Sequence, residues 1–414
     1  MEKQAMPELL APAGGMPQLK AALHYGADAV YGGMKRFGLR AYAGNFGTEE
    51  LREAVALCHS RKKKFYLTMN IYPFDEDMDD YLACAEEAQR AGVDAVIVSD
   101  LGAVSLLHKY QPQLPIHIST QANTLNSAAA MAWHAMGAER VILAREMSLA
   151  QIAVMKSKLP DVLELEAFVH GAVCVSYSGR CLLSNALTGR GGNQGACAQP
   201  CRWQYRVVEE KRPGEYMPIF EDEKGTSIFS AQDLCAMPTL PKLVEAGLAS
   251  LKIEGRMKTE YYVATVVSAY RRGLDTLAEG EEAFERALPG LLEELHKTSH
   301  RPGNTGFFLG KPSPCAGAEG ISQTMEYVAK VMADASAGEA APVMVKNRFY
   351  VGDSLEVMQP DGSKAYTPAR ITLAESGEQA ETVSVAGTLL QLVFPFPVSE
   401  GDILRGISRN HPAQ

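Results

Sequence analysis

The string Gly26-Ala27-Asp28-Ala29-Val30 returns along the chain as Gly92-Val93-Asp94-Ala95-Val96. It recurs in looser form as Gly137-Ala138-Glu139-Arg140-Val141 and Gly247-Leu248-Ala249-Ser250-Leu251. Each copy ends a helical pattern with a glycine suited to the left-handed C-cap position and opens a run rich in Val, Ile or Leu. The repeated physical unit is helix, glycine stop, buried strand. Carried along the chain, it predicts strands near residues 9–12, 29–32, 65–70, 95–99, 116–120, 140–144, 163–169 and 250–254, with helical patterns between most of them. Eight buried parallel-type strands alternating with helices point to a (β/α)8 barrel, with a doubly wound open sheet as the runner-up.

Between the seventh and eighth strands the rhythm breaks. Residues 164–203 hold four of the eight cysteines, Cys174 and Cys181, then Cys197 and Cys201, in a setting of Gly, Ser, Asn and Arg. Such a segment has no apolar period with which to build core, and a thiol-dense loop directly after a buried strand is a place where side chains converge on a ligand. A hairpin is expected at 205–208 with 217–221, after which 238–246 resumes the helix-to-strand pattern. Helices at 259–274 and 281–296 follow, and the turn-rich segment 301–314 reads as a linker. Beyond about Met325 short alternating runs split by Asp-Gly, Ser-Gly and Pro predict a small all-β barrel. The division is thus 1–320 for the catalytic domain, with the cysteine cluster within 166–235, and 321–414 for the second domain.

A hydrophobic fraction of 46% in 414 residues supplies ample core for both. No apolar run approaches the roughly 20 residues of a membrane span, and the N-terminal stretch lacks the layout of a signal peptide, so a cytoplasmic protein without a membrane partner is expected. In that reducing setting clustered cysteines read as metal or redox groups rather than disulfides, while Cys58 and Cys84, inside helical patterns, read as core. The net charge of −9 argues against nucleic-acid binding through a global field. Local basic groups remain at 61–64, at Arg180, Arg190, Arg202 and Arg206, and at Lys252, Arg256, Lys258, Arg271 and Arg272; a solvated face is the default reading of each. In a barrel the loops after the strands form the active face, which selects Asn70, Asp100, Gln121, Glu146, His170, Glu254 and Arg256.

The run His170-Gly-Ala-Val-Cys-Val-Ser-Tyr-Ser-Gly-Arg-Cys181, with Asn193-Gln-Gly-Ala-Cys197, Cys201-Arg-Trp203, the N-terminal Glu8-Leu-Leu-Ala-Pro-Ala-Gly14 and Glu254-Gly-Arg256, closely resembles the collagenase-like peptidase family of unassigned catalytic type, number thirty-two in that group. The resemblance covers nearly the whole chain. It implies RNA hydroxylation despite the family's name: prephenate-dependent 5-hydroxylation of the wobble uridine of tRNA, or hydroxylation of a ribosomal RNA cytidine. It also implies an iron–sulfur cluster of the 4Fe-4S type on Cys174, Cys181, Cys197 and the more distant Cys235; in some members the pair matching Cys197 and Cys201 supplies two ligands, so Cys201 competes for the fourth place and is otherwise a buried thiol beside Trp203. Thiolates suit such a cluster, although the spacing by itself does not separate it from tetrahedral zinc. A carboxylate-rich cosubstrate such as prephenate would need Arg256, Asn70, Gln121 and Arg40 as cationic or amide partners. His170 could transfer protons, and Glu254 completes the catalytic set. The expected partners are tRNA and either a paralogous family member or a second copy of the chain. Proteolysis, as the family name suggests, would need an activated nucleophile or metal-bound water; the chain has no HExxH and no nucleophile elbow, leaving only an imagined Cys174–His170 pair. An RNA-binding or assembly module without catalysis is a third reading.

Overall fold

In the computed structural model all four glycines of the repeated string adopt the left-handed conformation, with φ of 98°, 93°, 80° and 75° at Gly26, Gly137, Gly92 and Gly247. The aspartates that follow have a job of their own. Asp28 accepts the backbone N–H of Leu9 at 3.1 Å, and Asp94 that of Phe65 at 2.7 Å, so each satisfies the donor of the second residue of an adjacent strand. The structure describes residues 6–40, 43–174, 176–203, 220–222, 225–227, 232–310 and 321–407.

Eight strands form the barrel: β1 (Glu8–Pro12), β2 (Ala29–Gly33), β3 (Lys64–Met69), β4 (Ala95–Val98), β5 (Ile116–Ile118), β6 (Ala138–Ile142), β7 (Glu164–Ala172) and β11 (Ser250–Ile253). They pair in parallel in that order, and β11 joins both β7 and β1 to close the ring. The helices outside are α1 (Met16–His24), α2 (Thr48–Ser60), α3 (Met78–Ala91), α4 (Leu101–Tyr110), α5 (Ser127–Ala135), α6 (Leu149–Lys156), α8 (Leu240–Glu245) and α9 (Glu260–Glu279). Their starts follow the sequence: Asn126 and Thr259 cap α5 and α9, and Ser148 with Gln151 forms a capping box on α6. Cys58 and Cys84 are core, as expected.

Within 164–235 the chain adds α7 (Leu183–Thr188), the paired β8 (Phe220–Asp222) and β9 (Gly225–Ser227), and β10 (Asp233–Cys235), which runs antiparallel along the end of β7. Of the expected hairpin, 205–208 and most of 217–221 lie outside the described residues. The segment 301–314 is not a free linker over its described part: β12 (Gly303–Asn304) pairs with β10, and buried Phe308 accepts the N–H of Leu149. After α10 (Glu281–His296), the strands β13 (Met325–Val331), β14 (Ala340–Val345), β16 (Leu355–Gln359), β17 (Gly362–Tyr366), β18 (Ile371–Leu373), β19 (Gln379–Ala380), β21 (Leu389–Val393) and β22 (Ile403–Ile407) make an antiparallel sheet around a second core. A short side ladder joins β15 (Phe349–Tyr350) to β20 (Thr382–Val383). The sheet curls until Tyr366 of β17 reaches the carbonyl of Val393, but its end strands β17 and β19 form no ladder with each other among the described residues.

The two domains are firmly joined. Strand β16 is buried on both faces, with Leu355 and Val357 in its own core and Met358 in that of the barrel. Tyr25, at the end of α1, donates to the carbonyl of Met358 at 2.8 Å and accepts the N–H of Ile403 at 3.1 Å. Arg405, fully buried, meets Glu294 of α10 at 2.5 and 2.9 Å and Glu356 at 2.7 Å. This double cover explains why the first half of α9, Glu260 to Tyr270, is buried on every side, against the one-sided burial of an outer barrel helix.

Candidate active site

At the C-terminal ends of the strands the barrel opens into a cavity of about 400 Å³, lined by strand ends and by the cysteine loop; its described lining stops at Lys258, so the second domain contributes none of it. The floor is an ion-pair lattice. Glu166, fully buried on β7, lies 3.0 Å from Lys252 Nζ and 3.0 Å from Arg140, which also holds Glu8 and Glu164 at 2.7 and 2.6 Å. Burial alone would raise the Glu166 carboxyl; Lys252 and Arg140 overcome that and hold it below the usual range. Lys252 and Arg256 are therefore not members of a solvated basic face, since both are buried inside the barrel mouth.

Above the floor stands Glu254, 3.6 Å from Arg40 and 3.3 Å from Arg145. Burial raises its carboxyl, but Arg40, Arg145 and Arg256 outweigh this and hold it below the usual range. Arg145 also donates to the Ala172 carbonyl at 2.7 Å and lies over the Phe168 ring at 4.0 Å. Arg256, only 3% exposed, binds neutral oxygens: Nη1 donates to Thr68 Oγ1 at 2.8 Å and Nη2 to Asn45 Oδ1, while its buried Nε has no partner. Burial pushes its pKa down to about 10. Gly33 makes room for it, because a Cβ there would stand 2.4 Å from Nη2.

Asn70 and Gln121 also line the cavity. Asn70 is engaged, accepting from Leu39 N at 3.2 Å and donating to Ser119 Oγ at 3.3 Å, and so holds the segment that carries Arg40. Gln121 keeps a buried side-chain oxygen without a partner. Asp100 serves as the N-cap of α4, accepting from Ala103 N at 2.9 Å. Glu146 grips the cysteine loop through Ser178, accepting its N–H at 2.9 Å.

That loop forms the opposite wall. Gly179 and Gly195, at φ of 70° and 89°, let it lie directly on the barrel mouth: a Cβ on either would strike the carbonyl of Gln121 or of Gly38, at 2.0 and 2.7 Å. Cys174, Cys181, Cys197 and Cys201 all line the cavity from it. Cys201 is half-buried rather than enclosed, and Trp203 beside it is 45% exposed. Burial pushes the thiols of Cys174 and Cys201 up, and each also senses Cys181. Cys235 is set apart on β10, opposite His170, in contact range of Tyr270. As donors these thiols suit a soft metal or an iron–sulfur cluster. Among the described residues no three His, Cys, Asp or Glu side chains stand together ready to coordinate a metal, so the cysteine segments would have to draw in around one.

His170 lies outside the cavity. The β7–β11 register slips between Lys252 and Ile253, so that Val169 is the extra residue and His170 faces Ile253. A one-residue slip moves a side chain to the other face of a sheet. The ring consequently sits against Tyr262 and Tyr270, 6% exposed, and burial pushes its pKa down to about 3. It is a neutral histidine of the core, not a proton carrier at the cavity. The strand-end reading missed Arg145, although it selected the adjacent Glu146, and it missed Thr68 and Asn45, whose importance is fixed by what Arg256 touches.

An α/β-barrel with a cation-rich, thiol-walled cavity at its mouth, fused through a buried ionic joint to an all-β domain, is the class of protein these features define. The chain belongs to Peptidase family U32, whose profile matches residues 14–317, with the family's C-terminal domain matching 323–405. It is 38% identical over 404 residues to tRNA hydroxylation protein P of Escherichia coli (strain K12), covering 87% of this chain and 88% of that protein. It is 34% identical over 307 residues to the 23S rRNA 5-hydroxycytidine C2501 synthase of the same organism, covering 73% of this chain and 45% of the synthase. It is 32% identical over 314 residues to a collagenase of Porphyromonas gingivalis (strain ATCC BAA-308 / W83), covering 73% and 74%.

Proposed function

We propose that the protein is an RNA-hydroxylating enzyme that installs a hydroxyl on C5 of the wobble uridine of tRNA, using a prephenate-like carboxylate as cosubstrate and an iron–sulfur cluster. The observation that carries this is Arg256. Among the described residues it is a buried cation bonded only to neutral oxygens, in a cavity where Arg40 and Arg145 already hold Glu254 and Glu146 is taken up by Ser178. A site so arranged has an excess of positive charge that an incoming carboxylate would offset, and a guanidinium binds a carboxylate through two parallel hydrogen bonds. The tRNA reading stands ahead of the ribosomal one because the chain matches 88% of the tRNA relative and 45% of the ribosomal one.

Cys174, Cys181 and Cys197 are the proposed thiolates of the cluster, with a fourth from Cys235 or Cys201. When bound, a cluster supplies one-electron exchange to the substrate beside it. The residues of the chain itself bind and orient: Arg256 the cosubstrate carboxylate, Gln121 a polar group of cosubstrate or base, Glu254 a proton released nearby. Peptide hydrolysis finds less support, because the described lining of the cavity holds no histidine to activate a cysteine or serine.

Mass spectrometry of nucleosides from tRNA and ribosomal RNA of a deletion strain tests the assignment. The tRNA of that strain should lose its 5-hydroxyuridine derivatives and regain them on complementation, with ribosomal RNA unchanged; unchanged tRNA would overturn the reading. Iron and sulfide analysis of anaerobically purified variants tests the cluster. Loss in Cys174→Ser, Cys181→Ser and Cys197→Ser is expected, and the contrast of Cys201→Ser with Cys235→Ser assigns the fourth place. Zinc without sulfide in the wild-type protein would refute the cluster.

A further inference from the structure

The rim of the cavity carries features that the chemistry inside it does not use. Trp203 is 45% exposed and Tyr177 59%, and each adjoins residues of the cavity wall, Arg202 in one case, Ser176 and Ser178 in the other. Nearby stand three cations. Arg202 and Lys258 both line the cavity, and Lys258 Nζ donates to Ser299 Oγ at 3.2 Å, two positions before Arg301; burial depresses Lys258 and Arg301, and the neighbouring cations add to this. Asp233 faces them, accepts the backbone N–H of Arg301 at 3.1 Å through one carboxylate oxygen and offsets part of their repulsion, which leaves three cations to one anion. Half-buried like charges held together at a cavity mouth are a standing cost that a polyanion would relieve. Exposed aromatic rings interleaved with such cations form the surface on which single-stranded nucleic acid binds, the bases stacking and the phosphates lying along the positive charge.

We infer that the rim formed by Tyr177, Arg202, Trp203, Lys258 and Arg301 is the docking surface for an unpaired stretch of the RNA substrate, which crosses the cavity mouth and delivers one base into it. The inference rests on the RNA reading above and adds where on the molecule the RNA binds. It places docking on the barrel, whereas among the described residues the second domain lends none to the cavity.

The chain has two tryptophans, Trp133 and Trp203, so full-length Trp133→Phe protein reports on Trp203 alone. Titration with an unmodified anticodon stem-loop RNA should quench that emission to saturation. Trp203→Ala should weaken binding of the same RNA by roughly five- to a hundredfold, the range for loss of one stacked base, while Trp203→Phe restores most of it. Arg202→Gln should lower the slope of log affinity against log salt by about 0.7. Unfolding midpoints for each variant separate docking from folding. If the RNA binds without quenching and Trp203→Ala binds as tightly as wild type, the docking surface is wrong and the RNA reading stands. If neither the stem-loop nor whole tRNA binds the wild-type protein, the RNA reading itself falls.

Discussion

Two buried arginines in this protein have opposite surroundings. Arg405, at the joint between the domains, lies against Glu294 and Glu356; burial would depress it, but the carboxylates overcome that and hold it above its ordinary range. Arg256, in the cavity, has an alcohol and an amide for company and is pushed down to about 10. Burying an ion is tolerable when a partner charge accompanies it and costly when none does. The arginine of the joint is therefore matched by bonded carboxylates, whereas Arg256 feels Glu254 nearby but is bonded to no carboxylate among the described residues. Structural charge and functional charge are told apart here by their partners, not by burial.

The comparison can be broken at its stronger end first. Arg405→Met leaves Glu294 and Glu356 with Lys297 as their remaining cation among the described residues and should cost about 3 kcal/mol in denaturant unfolding; a loss under about 1 kcal/mol would show that the joint is not held by charge. His170 comes next. Its folded pKa of about 3 lies below the unfolded value near 6.5, so the unfolded chain takes up the proton first and stability falls as pH drops below about 6.5. The contribution lost by pH 5 is about 2 kcal/mol, and the stability gap between wild type and His170→Gln should narrow by that amount between pH 7 and pH 5. A constant gap would place the ring in contact with water. Arg256→Lys keeps the charge and loses the two-pronged geometry, so 5-hydroxyuridine derivatives in cellular tRNA should drop at least about tenfold with little change in unfolding midpoint. Normal nucleosides with a lowered midpoint would make Arg256 structural, like Arg405. The smallest effect belongs to Lys346→Met. This lysine is one-third exposed, and its partner Glu260 keeps Lys330 at 2.8 Å, so the variant should lose about 0.5 kcal/mol or less.

The barrel was legible in the sequence because buried parallel strands are continuous apolar runs and because each glycine stop marks where a strand must begin; all eight strands lie where the repeat put them, within a few residues at their ends. Of the seven residues selected by the strand-end rule, five line the cavity, Asn70, Gln121, Glu146, Glu254 and Arg256, while Asp100 and His170 do not. The place of His170 was not legible, since a single inserted residue at Val169 reverses its facing and leaves no mark on the period of the strand. Lys252 read as surface because a charge is exposed by default; only the fold, which brings its ammonium 3.0 Å from buried Glu166, shows otherwise. The placement of Cys201 on the cavity wall and Cys235 behind it depends on the path of a glycine-rich loop, and composition does not encode that path.

Tyr25 has a consequence for how the protein is made. Its hydroxyl waits for the N–H of Ile403, 378 positions away, so at roughly 5–20 residues per second roughly 20–75 seconds of translation separate the two. Throughout that interval the ends of α1 and α9 that β16 and β22 will cover face solvent or chaperones. A chain stalled before β22 is synthesised carries this uncovered apolar seam, and it becomes a mark by which cellular quality control can distinguish the unfinished protein from the finished one.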